Sequence, residues 1–271
     1  MKSFRKIIVS LVLLGAALFG LRSSSFTQGL QVWTNLGLYG GQIYDIAIDP
    51  LNPDRMFVGS YLGDGLFVTS DGGNTWRAVE ASNDPPGEAT FKNHAVWAVK
   101  IAPSDHNVIW AAHDSWVEKS TDGGNTWTHT FNRDMQRDCQ NCGGESDDLR
   151  FCRSIAIHPS DPDTVYVGTG GPDERAANGA IYKTTDGGIT WTKLNGGANF
   201  NYSIISIAFD TSNPQIMWAI TDSREENGVY WGSLYRSGDG GDTWTRKISV
   251  DTAWYDLAIK PDEPNVVFLA T

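Results

Sequence analysis

The chain has 271 residues, 40% of them apolar and 20% charged, which excludes wholesale disorder and allows one large domain or two small ones. Its 29 Gly and 11 Trp point to bulky rings joined by many tight turns, the composition of a β protein. Thirty-two acids against 21 bases give a net charge of −11, so a phosphate backbone is repelled and nucleic acid is excluded as a partner.

In chain order, Lys2, Arg5 and Lys6 precede an uninterrupted apolar run from Ile7 to Gly20. As a helix that run spans about 21 Å, short of the ~30 Å hydrocarbon core of a bilayer. A basic start, a short apolar stretch and small residues at Ser23 and Ser25 read as a secretory signal over residues 1–25, with an uncleaved anchor as the alternative. Its removal takes away Lys2, Arg5, Lys6 and Arg22 and no acid, moving the net charge from −11 to −15. The mature protein is therefore expected to be secreted, periplasmic or at the cell surface, with no stable membrane insertion. Residues 26–36 follow as a linker and the strand-like text Gln31-Val32-Trp33-Thr34-Asn35-Leu36.

Beyond residue 36 an internal repeat governs the reading. The pattern S/T-x-D-x-G-x-T-W occurs as Thr69-Asp71-Gly73-Thr75-Trp76, Ser120-Asp122-Gly124-Thr126-Trp127, Thr184-Asp186-Gly188-Thr190-Trp191 and Ser237-Asp239-Gly241-Thr243-Trp244. The aspartates lie 51, 64 and 53 residues apart. Upstream of each box an alternating apolar strand ends in a Pro/Asp/Asn turn and a second strand follows: Ile43–Ile48 then Met56–Val58, with the first strand recurring at Val96–Ile101, Ser154–Ile157, Ile204–Phe209 and Leu257–Ile259. Strand A, turn, strand B, loop, strand C, box turn and strand D in about 50 residues make one blade of a β-propeller. The predicted fold is thus all-β, a β-propeller of four-stranded antiparallel blades. Blades are expected at 37–80, 81–130, 131–194 and 195–248, with a partial fifth at 249–271 and the ring incomplete in this chain. Gln31–Leu36 matches the strand D text Thr190–Leu194 and is expected to be a spare outer strand for ring closure, completed by C-terminal blades beyond this N-terminal fragment.

In each box the Asp is expected to accept hydrogen bonds from its own turn, the glycines to supply positive φ, and the Trp to cover apolar surface between neighbouring sheets. A calcium loop is disfavoured because no bidentate Glu follows at the twelfth position. The eight residues Asp71, Trp76, Asp122, Trp127, Asp186, Trp191, Asp239 and Trp244 are read as structural, and no cofactor or metal is called for.

At these residues the chain resembles the Asp-box (BNR) repeat β-propellers, the group that includes sialidases, the sortilin luminal domain, xyloglucan-active glycoside hydrolases and photosystem II assembly-factor-like proteins. The resemblance covers about Gln31 to Thr271 and implies a WD40/YVTN/BNR-like repeat fold shared by unrelated functions. Sialidases carry an Arg-Ile-Pro motif that does not occur here. Xyloglucan-active relatives place a catalytic Asp just after strand B of the first blade, followed by Gly-Gly; here Asp64 stands displaced in Gly59-Ser60-Tyr61-Leu62-Gly63-Asp64-Gly65.

Cys139, Cys142 and Cys152 fall within fourteen residues, which suits one local disulfide and a leftover thiol, with a zinc site as the alternative. His94, His113 and His158 have no metal-ligand spacing and read as surface or turn residues.

Strand parity puts every uniform turn on one face and every variable loop on the other, and binding residues concentrate on variable loops held by a rigid scaffold. The B–C loops there are Tyr61–Asp64, His113–Ser115, Gly170–Gly179 and Asp222–Gly232; the D–A loops include Glu80–His94, Phe131–Phe151, Asn195–Tyr202 and Val250–Trp254. Trp116, Trp231, Trp254 and Arg175 are candidates for ligand binding, although the same tryptophans could instead pack under the loops. Asp64, Asp114, Asp173, Glu174, Glu225 and Glu226, with Asp147 and Asp148, are the acids from which a glycosidase could draw a pair about 5–5.5 Å apart for retention or 6.5–9.5 Å for inversion. Three functions fit: a glycan- or protein-binding module, a glycoside hydrolase acting on a polysaccharide, and an assembly factor for a membrane complex.

Overall fold

The structure is a computed structural model that describes residues 42–61, 65–80, 91, 94–113, 116–131, 151–170, 179–194, 200, 202–222, 224–226, 229–252, 254–261 and 263–271. The expected signal, the spare strand at 31–36, Cys139 and Cys142 lie outside these residues.

All regular structure among the described residues is β. The first sheet joins β1 (Ile43–Ile48), β2 (Met56–Ser60), β3 (Leu66–Thr69) and β4 (Arg77–Ala78) in that order, each antiparallel to the next. The second repeats the pattern with β5 (Val96–Ile101), β6 (Ile109–His113), β7 (Trp116–Ser120) and β8 (Thr128–Phe131), and the third with β9 (Phe151–His158), β10 (Asp161–Gly170), β11 (Ala180–Thr184) and β12 (Thr192–Leu194). The fourth contains β13 (Ile204–Phe209), β14 (Met217–Thr221), β15 (Arg224–Glu226), β16 (Val229–Ser237) and β17 (Thr245–Asp251); the fifth has β18 (Asp256–Ile259) and β19 (Val267–Ala270). The first strands β1, β5, β9, β13 and β18 pack each against the next, so the sheets fan about their inner strands as propeller blades do.

The box turns fasten this arrangement. In the first box Asp71 Oδ1 accepts the Thr75 N–H at 2.9 Å, Oδ2 accepts the Thr75 hydroxyl at 2.6 Å, and the Thr69 hydroxyl donates to Oδ1 at 2.7 Å while receiving the Gly73 N–H. The same four bonds recur around Asp122, Asp186 and Asp239. A strand end is thereby turned by side chains the sequence places at fixed offsets, with backbone donors satisfied locally.

The second, third and fourth boxes also grip the preceding blade. The Trp127 ring meets Phe57 and Phe91 edge-on, at centroid distances of 6.4 and 5.1 Å. Trp191 meets Trp110 at 6.2 Å and donates its indole N–H to the Thr130 carbonyl at 3.0 Å, and Trp244 packs in one cluster with Tyr166 and Phe200. Strand B contributes the facing aromatic each time, Phe57, Trp110 or Tyr166, and in the second, third and fourth sheets a cation from strand C lies over the strand B ring: Lys119 over Trp110, Lys183 over Tyr166 and Arg236 over Trp218. At the two ends of the series these faces stay open among the described residues. Ile46 of β1 is 49% exposed where its counterpart Val99 is fully buried, and Phe268 of β19 is 59% exposed where Phe57 is buried.

Ion pairs add a second set of ties between blades. Asp49 takes Arg55 Nη2 at 2.7 Å and His106 Nδ1 of the next blade at 2.5 Å, and Arg55 continues to the His106 carbonyl. Burial pushes the Asp49 carboxyl up, but the His106 and Arg55 bonds outweigh it and hold it at about 2.

The boxes make the fold acid-labile over a definite window. Hydrogen bonds from the Thr hydroxyl and then the Thr amide hold Asp71, Asp186 and Asp239 at about 2, below the ordinary 3.8. At Asp122 burial opposes the Thr126 bonds and the carboxyl still sits below its ordinary value. A depressed carboxylate contributes stability that is whole above the unfolded-chain value and disappears as pH falls through the folded value. Acid unfolding followed by circular dichroism should therefore fall between pH 4 and pH 2. Asp186→Asn should lower the number of protons taken up on unfolding; an unchanged proton uptake would contradict this account.

Candidate functional site

Each of the first four inner strands carries a register shift at the same place. Ile43 faces Ser60 and Asp45 faces Gly59, leaving Tyr44 as an extra residue; Val96 and Ala98 face His113 and Ala112, leaving Trp97. Cys152 and Ser154 face Thr169 and Gly168 around Arg153, and Ile204 and Ser206 face Thr221 and Ile220 around Ile205. Such bulges re-aim a side chain and gather beside binding sites. Here the same strand position, near the variable-loop end, is re-aimed in four consecutive blades.

Three of the four side chains meet. Tyr44 lies 4.3 Å from Trp97, ring centroid to centroid, with the planes tilted by 35°. Tyr61, just past β2, stands edge-on to Tyr44 at 5.3 Å and lies 5.9 Å from Trp97. The Arg153 guanidinium sits 4.4 Å from the Trp97 ring centre, a cation–π contact, and its Nη1 is 3.9 Å from Asp222 Oδ2 at the end of strand B of the fourth sheet. Tyr44 is 37% exposed, while Tyr61, Trp97 and Arg153 are half-buried. Burial, with Tyr61 beside it, raises the Tyr44 phenol above its ordinary value, and Arg153 opposes that. Beneath the row, Asp45 accepts the Val99 N–H at 2.9 Å and pairs with Lys100 at 2.8 Å, tying β1 to the inner edge of β5. The result is an aromatic floor crossing three blades, with a guanidinium and a carboxylate at one end. It can stack a flat apolar ligand face and hydrogen-bond to its edge.

The residues singled out from the sequence fall differently. Trp254 is 3% exposed, packs with Ile220, Leu234 and Leu257, and lies against Gly232, so it follows the packing alternative and offers no ligand platform. Trp231 is not on a loop: Asp222–Gly232 folds back as β15 and β16, with Arg224 opposite Trp231, Glu225 opposite Tyr230 and Glu226 opposite Val229. The expected loop at 250–254 likewise begins inside β17, where Asp251 faces Trp231. Trp116 is half-buried at the start of β7. His113 is fully buried and paired with Glu118, which corrects its reading as a surface or turn residue, whereas His158 stays at its turn beside Ser160. Cys152 is buried in β9. Asp64, Asp114, Asp147, Asp148, Asp173, Glu174 and Arg175 lie outside the described residues.

Tyr44 and Trp97 fall inside the expected strands Ile43–Ile48 and Val96–Ile101, and Arg153 just before Ser154–Ile157, so a search of the loops passes over all three. The available signal was a column: aligning the repeats on Asp49, Ala102, His158 and Asp210 puts Tyr44, Trp97, Arg153 and Ile205 at one position. In three of them an apolar residue directly precedes, Ile43, Val96 and Ile204, and breaks the strand's alternation. Among the described residues no group of three or more His, Cys, Asp or Glu is placed to hold a metal ion, and no helix is long and apolar enough to cross a membrane.

Comparison with known proteins agrees with this architecture. The chain is 26% identical over 272 aligned positions to the xyloglucanase Xgh74A of Acetivibrio thermocellus, covering 88% of this chain and 30% of the relative. It is 24% identical over 242 positions to a xyloglucanase of Hypocrea jecorina, covering 79% and 27%. The chain thus spans 30% or less of the length of the curated relatives it matches. Among solved structures, the GH74 enzyme of Niastella koreensis superposes with a TM-score of 0.59 at 22% identity, over 83% of this chain and 34% of that one, a likeness of fold. Residues 115–271, more than half of the sequence, match the Sortilin-Vps10 family (sortilin, neurotensin receptor 3), and the chain belongs to that family.

Proposed function

We propose that the chain is part of an exported glycoside hydrolase that holds a neutral polysaccharide of the xyloglucan kind across its variable-loop face. The observation that carries this reading is the row Tyr44–Trp97–Arg153, aimed by repeated bulges, with Tyr61 beside it. A glucan chain offers flat apolar ring faces edged with hydroxyls, which aromatic rings flanked by a guanidinium and a carboxylate complement. The xyloglucanase relatives support the substrate class. Asp64, three residues beyond Tyr61, is the carboxylate we put at the reacting bond, with Asp114, Asp173, Glu174, Glu225 or Glu226 as its partner.

Calorimetric titration of the full-length protein with xyloglucan oligosaccharides, together with reducing-sugar release, tests it. Tyr44→Ala or Trp97→Ala should weaken binding about 10-fold, equivalent to ~1.4 kcal/mol. Asp64→Asn should abolish release and leave binding intact. Binding without turnover in the unaltered protein would replace the hydrolase by a binding module. Neither binding nor turnover across a panel of neutral polysaccharides would end the glycan reading.

A further inference from the structure

The column of re-aimed side chains continues into the fifth sheet. The turn closing each inner strand fixes the alignment: the N–H groups of Asp49, Ala102, Asp210 and Lys260 donate to the carbonyls of Arg55, Val108, Ile216 and Val266 at 3.0, 2.9, 3.0 and 2.9 Å. Counting back five residues from these anchors gives Tyr44, Trp97, Ile205 and Tyr255. The text around the last repeats that around the first. Trp254-Tyr255-Asp256-Leu257-Ala258-Ile259 differs from Ile43-Tyr44-Asp45-Ile46-Ala47-Ile48 only by two apolar exchanges.

Packing singles out Tyr255 as the register shifts single out the others. Residues three apart on a regular strand face opposite sides of the sheet. Yet Val96 and Val99 share one core cluster, Ile204 and Ile207 another, and Trp254 and Leu257 a third. An extra residue between the members of each pair accounts for all three, and in the fifth sheet it precedes Asp256 as Tyr44 precedes Asp45. The backbone there is held. Trp254 is buried beneath it, and the Tyr255 N–H donates to the Ala270 carbonyl at 3.0 Å. Asp256 Oδ1 accepts the Leu257 N–H and the Ser206 hydroxyl of the fourth sheet, both at 2.8 Å. Asp45 is fixed in the same manner, by the Ile46 N–H at 2.9 Å and by the neighbouring sheet.

The Tyr255 side chain itself stays in solvent, with the residue 72% exposed. Tyr44 keeps 37% exposure with Tyr61 and Trp97 against it, so this strand position stays open even where rings from its own blade and the next lie beside it. An exposed aromatic on a fixed backbone supplies stacking area at little ordering cost. Between the two tyrosines the column changes character. It carries Arg153 in the third sheet and Ile205 in the fourth, where Ile205 packs against the cluster that holds Trp254. The column thus offers rings toward its two ends and none between.

We propose, resting on the glycan reading above, that Tyr255 is a second stacking platform for the polysaccharide, separate from the Tyr44–Trp97 floor. A chain long enough to reach both is held at two places, and a short one by the floor alone. The second contact is then intramolecular, so affinity rises with ligand length although each platform acts on the same kind of sugar face.

Calorimetric titration of the full chain with a length series of xyloglucan oligosaccharides tests this. Affinity should rise with length in the unaltered protein. Tyr255→Ala should lower it about 10-fold for the longest members and leave the shortest unchanged, whereas Tyr44→Ala should weaken both. Tyr255→Phe keeps the ring and should keep the affinity for long members. If Tyr255→Ala binds every member as the unaltered protein does, the second platform is overturned, and a loss in Tyr44→Ala shows that the glycan reading stands without it. An equal loss for short and long members also overturns it, because Tyr255 would then belong to a single site. A loss in Tyr255→Phe as large as in Tyr255→Ala overturns stacking as the contact. No binding of any member by the unaltered protein overturns the glycan reading and the platform together.

Discussion

Gly188→Ala is expected to lower the stability of the fold by about 3–4 kcal/mol, read from the shift in a urea midpoint at unchanged slope. Two costs fall on one residue. Gly188 holds φ at +92°, where an L side chain is strained by roughly 1–2 kcal/mol. Its added Cβ would also lie 2.5 Å from Thr130 Cβ and 3.1 Å from the Trp110 ring, both fixed in the preceding blade. Neither neighbour can swing aside: Trp110 is fully buried and its indole N–H is bonded to the Pro162 carbonyl. Overpacking of this kind adds roughly 1–3 kcal/mol. Gly72→Ala is the control, because φ there is +69° but the nearest atom is an Asp54 carboxylate oxygen at 3.1 Å, the end of a side chain that can turn. It should cost about 1–2 kcal/mol. Equal losses at the two positions would mean that the second box glycine serves the turn alone and not the seam between blades.

That seam also marks what the sequence made visible. Box residues act over four or five positions, so their offsets can be read directly, and the hydrogen bonds of Asp71, Asp122, Asp186 and Asp239 have the expected form. The strand ends at Ile43, Ile48, Val96, Ile101, Ile204 and Phe209 were equally legible, because apolar alternation stops at an Asp or Pro turn. The candidate site was not. Its rings come from Tyr44, Tyr61 and Trp97 and its cation from Arg153, and their proximity depends on blade-to-blade packing that no local pattern encodes. Asp222–Gly232 looked like a loop because it is rich in charge and contains Gly228, yet pairing with β16 makes part of it strand. Trp254 resembled a surface ring until Gly232, which has no side chain, admitted it to the interior. His113 and Glu118 each look solvent-facing in isolation, and pairing across the sheet, of Glu118 with His113 and with His129, makes their burial tolerable.

Trp127→Ala is expected to cost about 3–5 kcal/mol, the range for removing a fully buried large aromatic. The indole is 1% exposed, fills the space between Phe57 of the first sheet and Phe91, and donates its N–H to the Gly124 carbonyl at 3.2 Å. Truncation would open a cavity that rigid strands on both sides cannot collapse into. The informative comparison is Trp76→Ala, the same residue of the same motif. Trp76 is half-buried and its indole nitrogen has no hydrogen-bond partner, so fewer contacts are lost and the stability change should be less than half as large. If the tryptophan's role were local to the turn, the two substitutions would be equivalent, since Asp71 and Asp122 organise their turns with the same bonds. A large difference in urea midpoint therefore measures inter-blade packing separately from the turn. Near-equal values would place the Trp contribution inside its own blade and remove the physical reason for a Trp at the end of every box.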